Sequence, residues 1–574
     1  MSQETPEQRA ERLKALTQKL RAALRVSSTQ LTQLLTELST EEPDKTQAGR
    51  KNSLLELEQE LAELERRANF VNISNAERCS VLEKRLGATE TATDDPNLFK
   101  LRFNERFPVH LPNCRLYFPP VDWSVQEVVT HLQQDQIAFD VIVVISLEPA
   151  QQMALRPYGE NATTLWVVPN IDELITLLLS EEPIAFFIKR LAAQLKITHI
   201  SPYQTAGAIQ SNMMFFGRTQ LLAHILGRSP TNYLLIGGRQ LGKSSLLKYI
   251  ERHYITHSKV DCHYMELYDH NLQPHLAKAL NLPVDTELSV LLENLANVSE
   301  GQRRLFLIDE ADLFIRHEME QDYPMLRHFR ALSGEGRCHF IFAGFWNLYE
   351  ATLLDFLSPI RNFGEPVFVG ELEVEGCRDL ATKPMAMLGL NYTSSDLVEH
   401  ILEQTGQRAN LIATVCDHML KRLANEQRTE INQEDVTQAL QSREVDGGLV
   451  GYAKLTNDEQ AARLDRLIIY TTVDQRIVLQ KGVMKFVKPL SRALSNLWGS
   501  GKKEGFTLAE VMDKLELCNC TYTAEQLKQS LARLELAFII RREGRFYRYC
   551  VPLFQQMLKE QELASLLRAE GVYH

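Results

Sequence analysis

Several features of secreted and membrane proteins are missing from this sequence of 574 residues. No apolar run approaches the ~20 residues that span a bilayer. The first residues, Met1 to Pro6, are polar and acidic and lack the apolar segment of a signal peptide. The nine cysteines are scattered without C-x-x-C pairs, and Cys518 and Cys520 are too close together for a usual zinc knuckle. We therefore expect a cytoplasmic protein with reduced thiols and no membrane contact.

The sequence also has no excess of positive charge, and its net charge of −11 argues against broad binding to polyanions. The charge is unevenly distributed, since residues 451–574 hold 19 Lys and Arg against 14 Asp and Glu. This basic end could form a nucleic-acid surface, an ordinary solvated surface or a patch that docks on the acidic remainder. The length predicts three or four domains, and the apolar share of 44% is ordinary for globular proteins.

One glycine-rich segment indicates phosphate binding. Residues 237–244 fit the pattern G-x-x-x-x-G-K-[ST], between an apolar strand at 233–236 and a helix that follows. The glycines allow backbone N–H groups to point at phosphates, and the helix N-terminus adds partial positive charge. Lys243 is predicted to reach the β- and γ-phosphates, and Ser244 to ligate Mg²⁺. The predicted ATP-binding residues here are Gly237, Gly238, Arg239, Gln240, Leu241, Gly242, Lys243, Ser244 and Ser245.

A second apolar run ends in acids 66 residues after Lys243. The segment 304–312 predicts a buried parallel strand with carboxylates at its C-terminal end, the edge where ligands gather in open α/β sheets. Asp309 is predicted to hold the Mg²⁺ shell, and Glu310 to polarise the attacking water. The presence of Glu310 favours hydrolysis over nucleotide binding alone.

The N-terminal third shows no motif with evident chemistry. Leucines at helical spacing predict a helical, coiled-coil-like module over residues 1–92. Apolar runs at 139–145 and 163–168 predict buried strands of a small α/β domain over residues 97–197. The first module is interpreted as an interaction or assembly element.

The remainder predicts a multidomain α/β protein built around an ATPase. Strands alternate with helices over residues 205–372, as in a P-loop ATPase core, and residues 373–445 predict a helical lid. Two helices and a hairpin predict a winged-helix domain over residues 446–574. Cations among aromatic residues suit contact with a phosphate backbone, although winged helices also act as protein-binding modules. The cations of the predicted wing are Arg541, Arg542, Arg545 and Arg548.

Together these motifs resemble AAA+ ATPases. The box at 215–218 (Phe-Phe-Gly-Arg), the Asp309-Glu310 pair, the lid and the winged helix are similar to the Orc/archaeal-ATPase group and to the STAND signalling ATPases of bacteria. The resemblance covers about 200 to 574, and the string Ile-Gly-Gly-Arg-Gln-Leu-Gly-Lys-Ser-Ser-Leu-Leu looks like bacterial members. It implies that Phe216 and Gly217 line the pocket for the adenine base.

The resemblance also implies roles for two arginines. Arg361, just before the last core strand, occupies the place of an arginine finger and would be catalytic with Lys243 and Glu310. Arg408 occupies the place of the sensor-2 arginine of the lid. Each of the two could equally be an ordinary surface arginine. The chain departs from the family pattern at the sensor-1 position, where the first polar residue after the strand is Asn347.

The leading interpretation is an AAA+/STAND-like ATPase that uses ATP and Mg²⁺ as a molecular switch. It would couple the nucleotide state to oligomerisation or to control of a partner protein, and the resemblance implies bacterial signalling or antiviral defence. One alternative is an Orc-like ATPase that binds DNA through its winged helix. Another is an ATP-binding scaffold with negligible hydrolysis. ATPase assays with and without DNA separate the three.

Overall fold

The computed structural model describes residues 69–572 with internal gaps. These gaps are 105–106, 110, 112–113, 134–139, 160–164, 181, 195–200, 256, 258, 300, 337, 427, 475–476, 481–482 and 487–504. The leucine-rich helices expected in the first 68 residues lie outside the described part. Two compact units form: one ends at Pro202 and includes Met385–Leu390, and the other comprises Tyr203–Pro384 and Asn391 onward.

The first unit contains a five-stranded sheet in the order β1-β2-β3-β4-β5. The first three strands pair antiparallel, and β3, β4 and β5 pair parallel. All four residues of β4 are buried, as in parallel strands covered by helices. The strands are β1 Ala88–Ala92, β2 Leu98–Phe103, β3 Cys114–Tyr117, β4 Val141–Val144 and β5 Trp166–Val167, and the helices are α1 Asn75–Leu86, α2 Val125–Leu132, α3 Pro149–Gly159, α4 Ile171–Leu179 and α5 Pro183–Gln194.

The second unit is built on a five-stranded sheet in which every strand pair is parallel. Its order is β10-β6-β9-β8-β7, so the strand before the glycine-rich loop lies between two others. The elements are β6 Tyr233–Ile236, β7 Val260–Glu266, β8 Arg303–Asp309, β9 Cys338–Gly344 and β10 Glu365–Phe368, with helices α6 Thr219–Leu226, α7 Lys243–Ile255, α8 Gln273–Ala279, α9 Leu288–Ala296, α10 Asp312–Glu320, α11 Pro324–Gly334 and α12 Trp346–Tyr349.

Both faces of this sheet are buried. Side chains of alternate residues along its strands pack into two separate hydrophobic cores, one on each face. Leu234 and Ile236 pack on one face, and Tyr233 and Leu235 on the other. This period of two is the geometry of a strand. The mixed α/β fold with a parallel sheet typical of a P-loop ATPase core agrees with the predicted class.

Helices dominate the region after β10. The C-terminal end of α14 is closed by Gly406 in the left-handed conformation, which orients the following helix. The elements are α13 Val374–Met387, β11 Asn391–Tyr392, α14 Ser395–Thr405, α15 Ala409–Glu426, β12 Glu430–Ile431, α16 Gln433–Leu440 and α17 Arg443–Leu449.

The C-terminal region contains two helices followed by a hairpin, and its three-stranded sheet has the order β15-β17-β16. Thr523 caps the second of these helices, α20 (Ala524–Leu536), through its side chain. The winged-helix assignment and the five domain boundaries stay predictions. No helix among the described residues is long and apolar enough to cross a membrane. The elements are α18 Glu459–Thr472, β13 Ile477–Gln480, β14 Val483–Phe486, β15 Phe506–Thr507, α19 Leu508–Leu517, α20 Ala524–Leu536, β16 Ile540–Glu543, β17 Phe546–Tyr549, α21 Pro552–Glu560 and α22 Leu563–Ala569.

Candidate functional site

The glycine-rich segment forms the turn between β6 and α7. Gly237 has no room for a side chain, since a Cβ there would lie 2.4 Å from the carbonyl oxygen of Val369. Gly242 has a φ of 88°, which glycine adopts without steric penalty. Helix α7 begins at Lys243, so its first N–H groups, which have no partner within the helix, lie at the loop. A loop of this kind at a helix N-terminus attracts phosphate.

Lys243 lies inside the loop with 6% of its surface exposed. Its ammonium donates to the carbonyl oxygens of Gly237, at 2.9 Å, and Gly238, at 2.8 Å. Burial lowers the pKa of Lys243 from its ordinary value. A cation held by two neutral carbonyls gains from exchanging them for charged phosphate oxygens, because charge-assisted hydrogen bonds are the stronger ones.

Asp309 ends β8 and is almost fully buried, with 1% exposed. Its Oδ2 accepts a hydrogen bond from the hydroxyl of Tyr264 at 3.0 Å, and its Oδ1 accepts one from the N–H of Glu310 at 3.0 Å. Among the described residues Asp309 has no ion-pair partner within 4.0 Å. Buried carboxylates are normally paired or bind metal, so Asp309 fits a Mg²⁺ ligand. Ser244, the other predicted ligand, is the second residue of α7.

Glu310 follows Asp309 in a strained backbone conformation. Its φ is 51°, in the left-handed region that costs a non-glycine residue roughly 1–2 kcal/mol. Strain of this size is typically retained where it positions a functional group. Desolvation raises the pKa of Glu310, against the opposing positive charge of Lys243. The carboxyl group is therefore a stronger base than an ordinary glutamate, as a residue that activates water requires.

Asp312 joins the acidic strand end to the segment after β9. Its carboxylate accepts hydrogen bonds from the N–H groups of Phe345 and Asn347, at 2.5 and 2.8 Å. The side-chain amide of Asn347 donates to the carbonyl oxygen of Asp312 at 3.1 Å. This amide is directed at α10, so the structure offers no new support for Asn347 as sensor 1.

The Phe-Phe-Gly-Arg box ties the loop to the end of the sheet. The guanidinium of Arg218 donates to the carbonyl oxygens of Leu241 at 3.0 Å and Gly370 at 2.6 Å. A Cβ at Gly217 would meet the side chain of Leu372 at 2.7 Å, so the box lies tightly against the start of the helical region. The predicted contact of Phe216 and Gly217 with the base stays a prediction.

Two residues near the start of α15, in the region after β10, contact the side of the phosphate loop. The Nη2 atom of Arg408 lies 3.4 Å from the carbonyl oxygen of Arg239. The amide of Asn410 donates to the side-chain oxygen of Gln240 at 2.8 Å. The position of Arg408 is compatible with the predicted sensor-2 role, which stays a prediction.

Arg361 lies at the opposite edge of the sheet. It precedes β10, whose first residue, Glu365, is in register with Tyr233 at the start of β6. Both strands run away from this edge, and four residues at ~3.3 Å each carry β6 roughly 13 Å before the loop begins. The guanidinium lies 4.1 Å from the ring centre of Phe356. Arg361 is thus held apart from the phosphate loop of its own chain.

The C-terminal region covers the phosphate loop. The N–H of Gly238 donates to the carbonyl oxygen of Leu536, the last residue of α20, at 2.8 Å. A Cβ at Gly238 would lie 2.8 Å from the Cα of Ala537. One turn earlier, the guanidinium of Arg533 lies 4.7 Å from the ring centre of Trp346, which follows β9. The end of α20 therefore touches both the loop and the segment next to the acids.

A cavity of about 1240 Å³ lies between these elements. It exceeds the roughly 300–1,000 Å³ of usual small-molecule sites. The loop contributes Arg239 and Lys243 to its wall, and the acidic strand end contributes Glu310. The C-terminal region contributes Arg533 and further residues of α20 and the turn after it. Of the predicted site residues, five line this cavity and Arg361 does not: Arg239, Gln240, Lys243, Glu310 and Arg408.

Comparisons with known proteins agree with this geometry. Residues 227–351 match the family model described as the AAA domain, a segment that contains the loop and the acidic strand end. No curated protein matches the chain in sequence. The family match makes this part of the chain similar to AAA-type P-loop ATPases.

Solved structures show weak likeness. A Walker-type ATPase of Pyrococcus abyssi has 15% identity over 60% of this chain and 96% of its own, with a TM-score of 0.42. The ORC2 protein of Aeropyrum pernix has 13% identity over 62% of this chain and 92% of its own, at 0.37. The RuvB Holliday junction branch migration motor of Thermotoga maritima has 13% identity over 57% and 87%, at 0.29.

Three contacts of the site were not predicted from the sequence. Tyr264 gives no local signal, because its partner Asp309 lies on the neighbouring strand. The sequence placed Arg218 in the Phe-Phe-Gly-Arg box, for which the resemblance implied contact with the adenine base. It gave no indication of the hydrogen bonds of Arg218 to backbone carbonyl oxygens. The approach of Leu536 to the loop follows from tertiary packing alone.

Proposed function

We propose that the protein is an ATP-hydrolysing molecular switch in which the C-terminal region responds to the nucleotide state. The hydrogen bond from Gly238 to Leu536 is the observation that carries this proposal. The amides of the loop are the groups that bind phosphate in this motif, and one of them is engaged by α20. Nucleotide and α20 therefore compete for, or share, the same few atoms.

The described side chains supply the parts of phosphoryl transfer. Lys243 would bind the β- and γ-phosphate oxygens, and Ser244 and Asp309 would hold the Mg²⁺. Bound Mg²⁺ supplies neutralisation of the developing phosphate charge. Glu310 orients a water molecule and accepts its proton, which its raised pKa favours. Arg408, which donates to the carbonyl oxygen of Arg239 in the loop, would contact the phosphates from the lid.

The position of Arg361 supports assembly into an oligomer. The sheet separates it from the loop of its own chain, so an arginine finger at this place would act on nucleotide bound by a neighbour. Beside it, Phe356 is 77% exposed and Leu357 is 92% exposed. Adjacent exposed apolar side chains of this size favour contact with a partner, here a second copy of the chain.

The alternative of an Orc-like DNA-binding ATPase receives less support. The four arginines of the predicted wing are exposed, but Arg541 lies 3.4 Å from Glu371 and Arg548 lies 3.2 Å from Glu543. The second half of α20, the helix that would enter a DNA groove, packs against the ATPase core instead. DNA contact by the wing alone would raise ATPase activity on addition of duplex DNA.

A role in bacterial signalling or defence, implied by the resemblance to STAND ATPases, would use this switch to control a partner. The scaffold alternative requires negligible hydrolysis. The presence of Glu310 beside Lys243 in the cavity wall favours hydrolysis over this alternative, because a carboxylate near the predicted phosphate site is suited to activate water.

Gly238→Ala tests the switch directly. Position 238 is a free position of the G-x-x-x-x-G-K-[ST] pattern and has no left-handed φ, so alanine leaves the loop intact. The added Cβ meets Ala537 and the carbonyl oxygen of Leu536 at 3.0 Å or less, which costs about 1–3 kcal/mol. We expect α20 to leave the loop and labelled ADP to dissociate about tenfold faster.

Gly334→Ala is the matched control, because a Cβ there meets nothing within 4 Å. Hydrogen exchange at residues 536–538 should rise in Gly238→Ala and not in Gly334→Ala. Identical ADP release in both variants and the wild type would contradict the switch.

A further inference from the structure

Tyr264 occupies a place in the site that none of the steps above uses. It lies on β7, the edge strand next to β8, and its hydroxyl donates to Oδ2 of Asp309 at 3.0 Å. The contact joins residues 45 apart in the sequence. Tyr264 packs on the same face of the sheet as α7, the helix that begins at Lys243.

Helix α7 also contacts the ring of Tyr264, whose hydroxyl is bonded to Asp309. The ammonium of Lys248, on α7, lies 3.4 Å from the ring centre, within the range of a cation–π contact. Lys248 is held in turn by Glu251 at 3.0 Å. The ring therefore lies between α7 and the end of β8, and its hydroxyl is directed at one oxygen of Asp309.

The two hydrogen bonds to Asp309 determine the orientation of its carboxylate. Tyr264 holds Oδ2 and the N–H of Glu310 holds Oδ1, so rotation about the last side-chain bond would break both. A carboxylate has about four lone-pair sites, which leaves room to bind a hydrated cation in addition. Partners of this kind set the direction of metal ligands, and their loss typically costs 10–100-fold in metal affinity.

We propose that Tyr264 is a positioning residue for the Mg²⁺ that accompanies the nucleotide, acting through Asp309. The inference rests on the proposed function, in that the site must bind Mg²⁺ with a nucleotide. Tyr264 touches neither nucleotide nor water in this role. Its loss weakens retention of the cation and leaves the phosphate loop unchanged.

Tyr264→Phe removes only the hydroxyl. The test measures binding of a fluorescent non-hydrolysable ATP analogue to the full chain, first with excess EDTA and then across a Mg²⁺ titration. We expect the variant to need about tenfold more Mg²⁺ for half-maximal enhancement of binding, with unchanged affinity in EDTA. At saturating Mg²⁺ its turnover should approach that of the wild type.

Tyr233→Phe is the control. Tyr233 lies on β6 of the same sheet, is 1% exposed, and donates to the carbonyl oxygen of His224, away from the acids. Its removal should leave the Mg²⁺ requirement unchanged. Any loss of folding in either variant is read from its thermal melting temperature.

Two results would overturn the inference. One is a Mg²⁺ requirement of Tyr264→Phe equal to that of the wild type. The other is a loss of affinity of Tyr264→Phe for the ATP analogue that is as large in EDTA as in Mg²⁺. Tyr264 would then act on the phosphate loop and not on the cation. A wild-type chain that binds no ATP analogue would instead contradict the proposed function.

Discussion

The two sheets of this protein end in different chemistry at corresponding edges. In the first unit, the residues after β4 bond to one another: the Ser146 hydroxyl donates to Gln151, whose amide donates to the carbonyl oxygens of Pro120 and Trp123. In the second unit, the same edge carries a buried lysine bonded to neutral carbonyls and a buried acid without an ion pair among the described residues. Both edges follow parallel strands, so topology alone does not create the site.

The loops make the difference. Ligands bind at the carboxyl edge of open α/β sheets when a loop there leaves backbone N–H groups free. Glycines give the second sheet such a loop, whereas the segment that follows β4, residues 145–148, contains no glycine and ends in the acid Glu148. The candidate site is thus distinguished by Lys243 and Asp309, buried charged groups without ion-pair partners among the described residues. This agrees with the general rule that function depends on the residues of a site and not on the fold alone.

The largest expected effect concerns the edge of the second sheet that lies opposite the loop. If Arg361 acts on a neighbour's nucleotide, Arg361→Ala lowers turnover by a factor on the order of 10³ or more and keeps ATP affinity. Activity per chain should rise with protein concentration in the wild type. Mixing Arg361→Ala with Lys243→Ala chains should restore activity, since each supplies what the other lacks. A rate independent of concentration, without rescue, would make Arg361 an ordinary surface charge.

Glu310→Gln is expected to separate hydrolysis from binding at the proposed nucleotide site. The amide cannot accept a proton from water, so turnover should fall by a factor on the order of 10² or more while ATP stays bound. Single-turnover assays with labelled ATP measure both quantities. Glu399→Gln, in an exposed pair with Arg378, is the control and should change neither. Equal turnover in Glu310→Gln and the wild type would place the base elsewhere.

Lys243→Ala tests whether the buried cation is what distinguishes this edge. Loss of a charge-assisted contact to the β- and γ-phosphates should weaken ATP binding by a factor on the order of 10². Calorimetric titration of ATP gives the affinity, and the melting temperature shows that the fold persists. Lys383→Ala, an exposed lysine paired with Asp379, should bind ATP normally. Wild-type affinity in Lys243→Ala would refute the assignment of the site.

The central part of the second unit was predictable because its signals are local. The strand at 233–236 has the predicted bounds, and the helix predicted after the loop begins at Lys243. The spacing of glycines and Lys243 is imposed by phosphate geometry, so it is readable in a single sequence. The last core strand ends at Phe368, and Arg218 donates to the carbonyl oxygens of Gly370 and Glu371 just beyond it, a pairing that no local pattern indicated.

The contacts between distant segments could not be predicted. Asp309 and Tyr264 meet because β7 lies beside β8, and strand order is a property of the whole sheet. The bond from Gly238 to Leu536 joins residues almost 300 positions apart, and no local pattern encodes such a packing. Composition left three alternatives open for the basic C-terminal region, and the exposed Arg541–Glu371 pair is compatible with one of them, docking on an acidic surface.

The smallest effect on nucleotide binding is expected for substitutions at the edge of the first sheet, after β4. Gln151 is 7% exposed and makes three hydrogen bonds there, so Gln151→Ala leaves two carbonyl oxygens and the Ser146 hydroxyl without that partner. Each unsatisfied buried group costs about 1–3 kcal/mol of stability. The midpoint of urea denaturation of the first unit should therefore shift to a lower urea concentration. ATP affinity should not change, because these hydrogen bonds involve no residue of the phosphate loop or of the acidic strand end. Gln126→Ala, on the exposed face of α2, should alter neither quantity. A loss of ATP affinity in Gln151→Ala would mean that the first sheet contributes to the nucleotide site, and the contrast between the two edges would then fail.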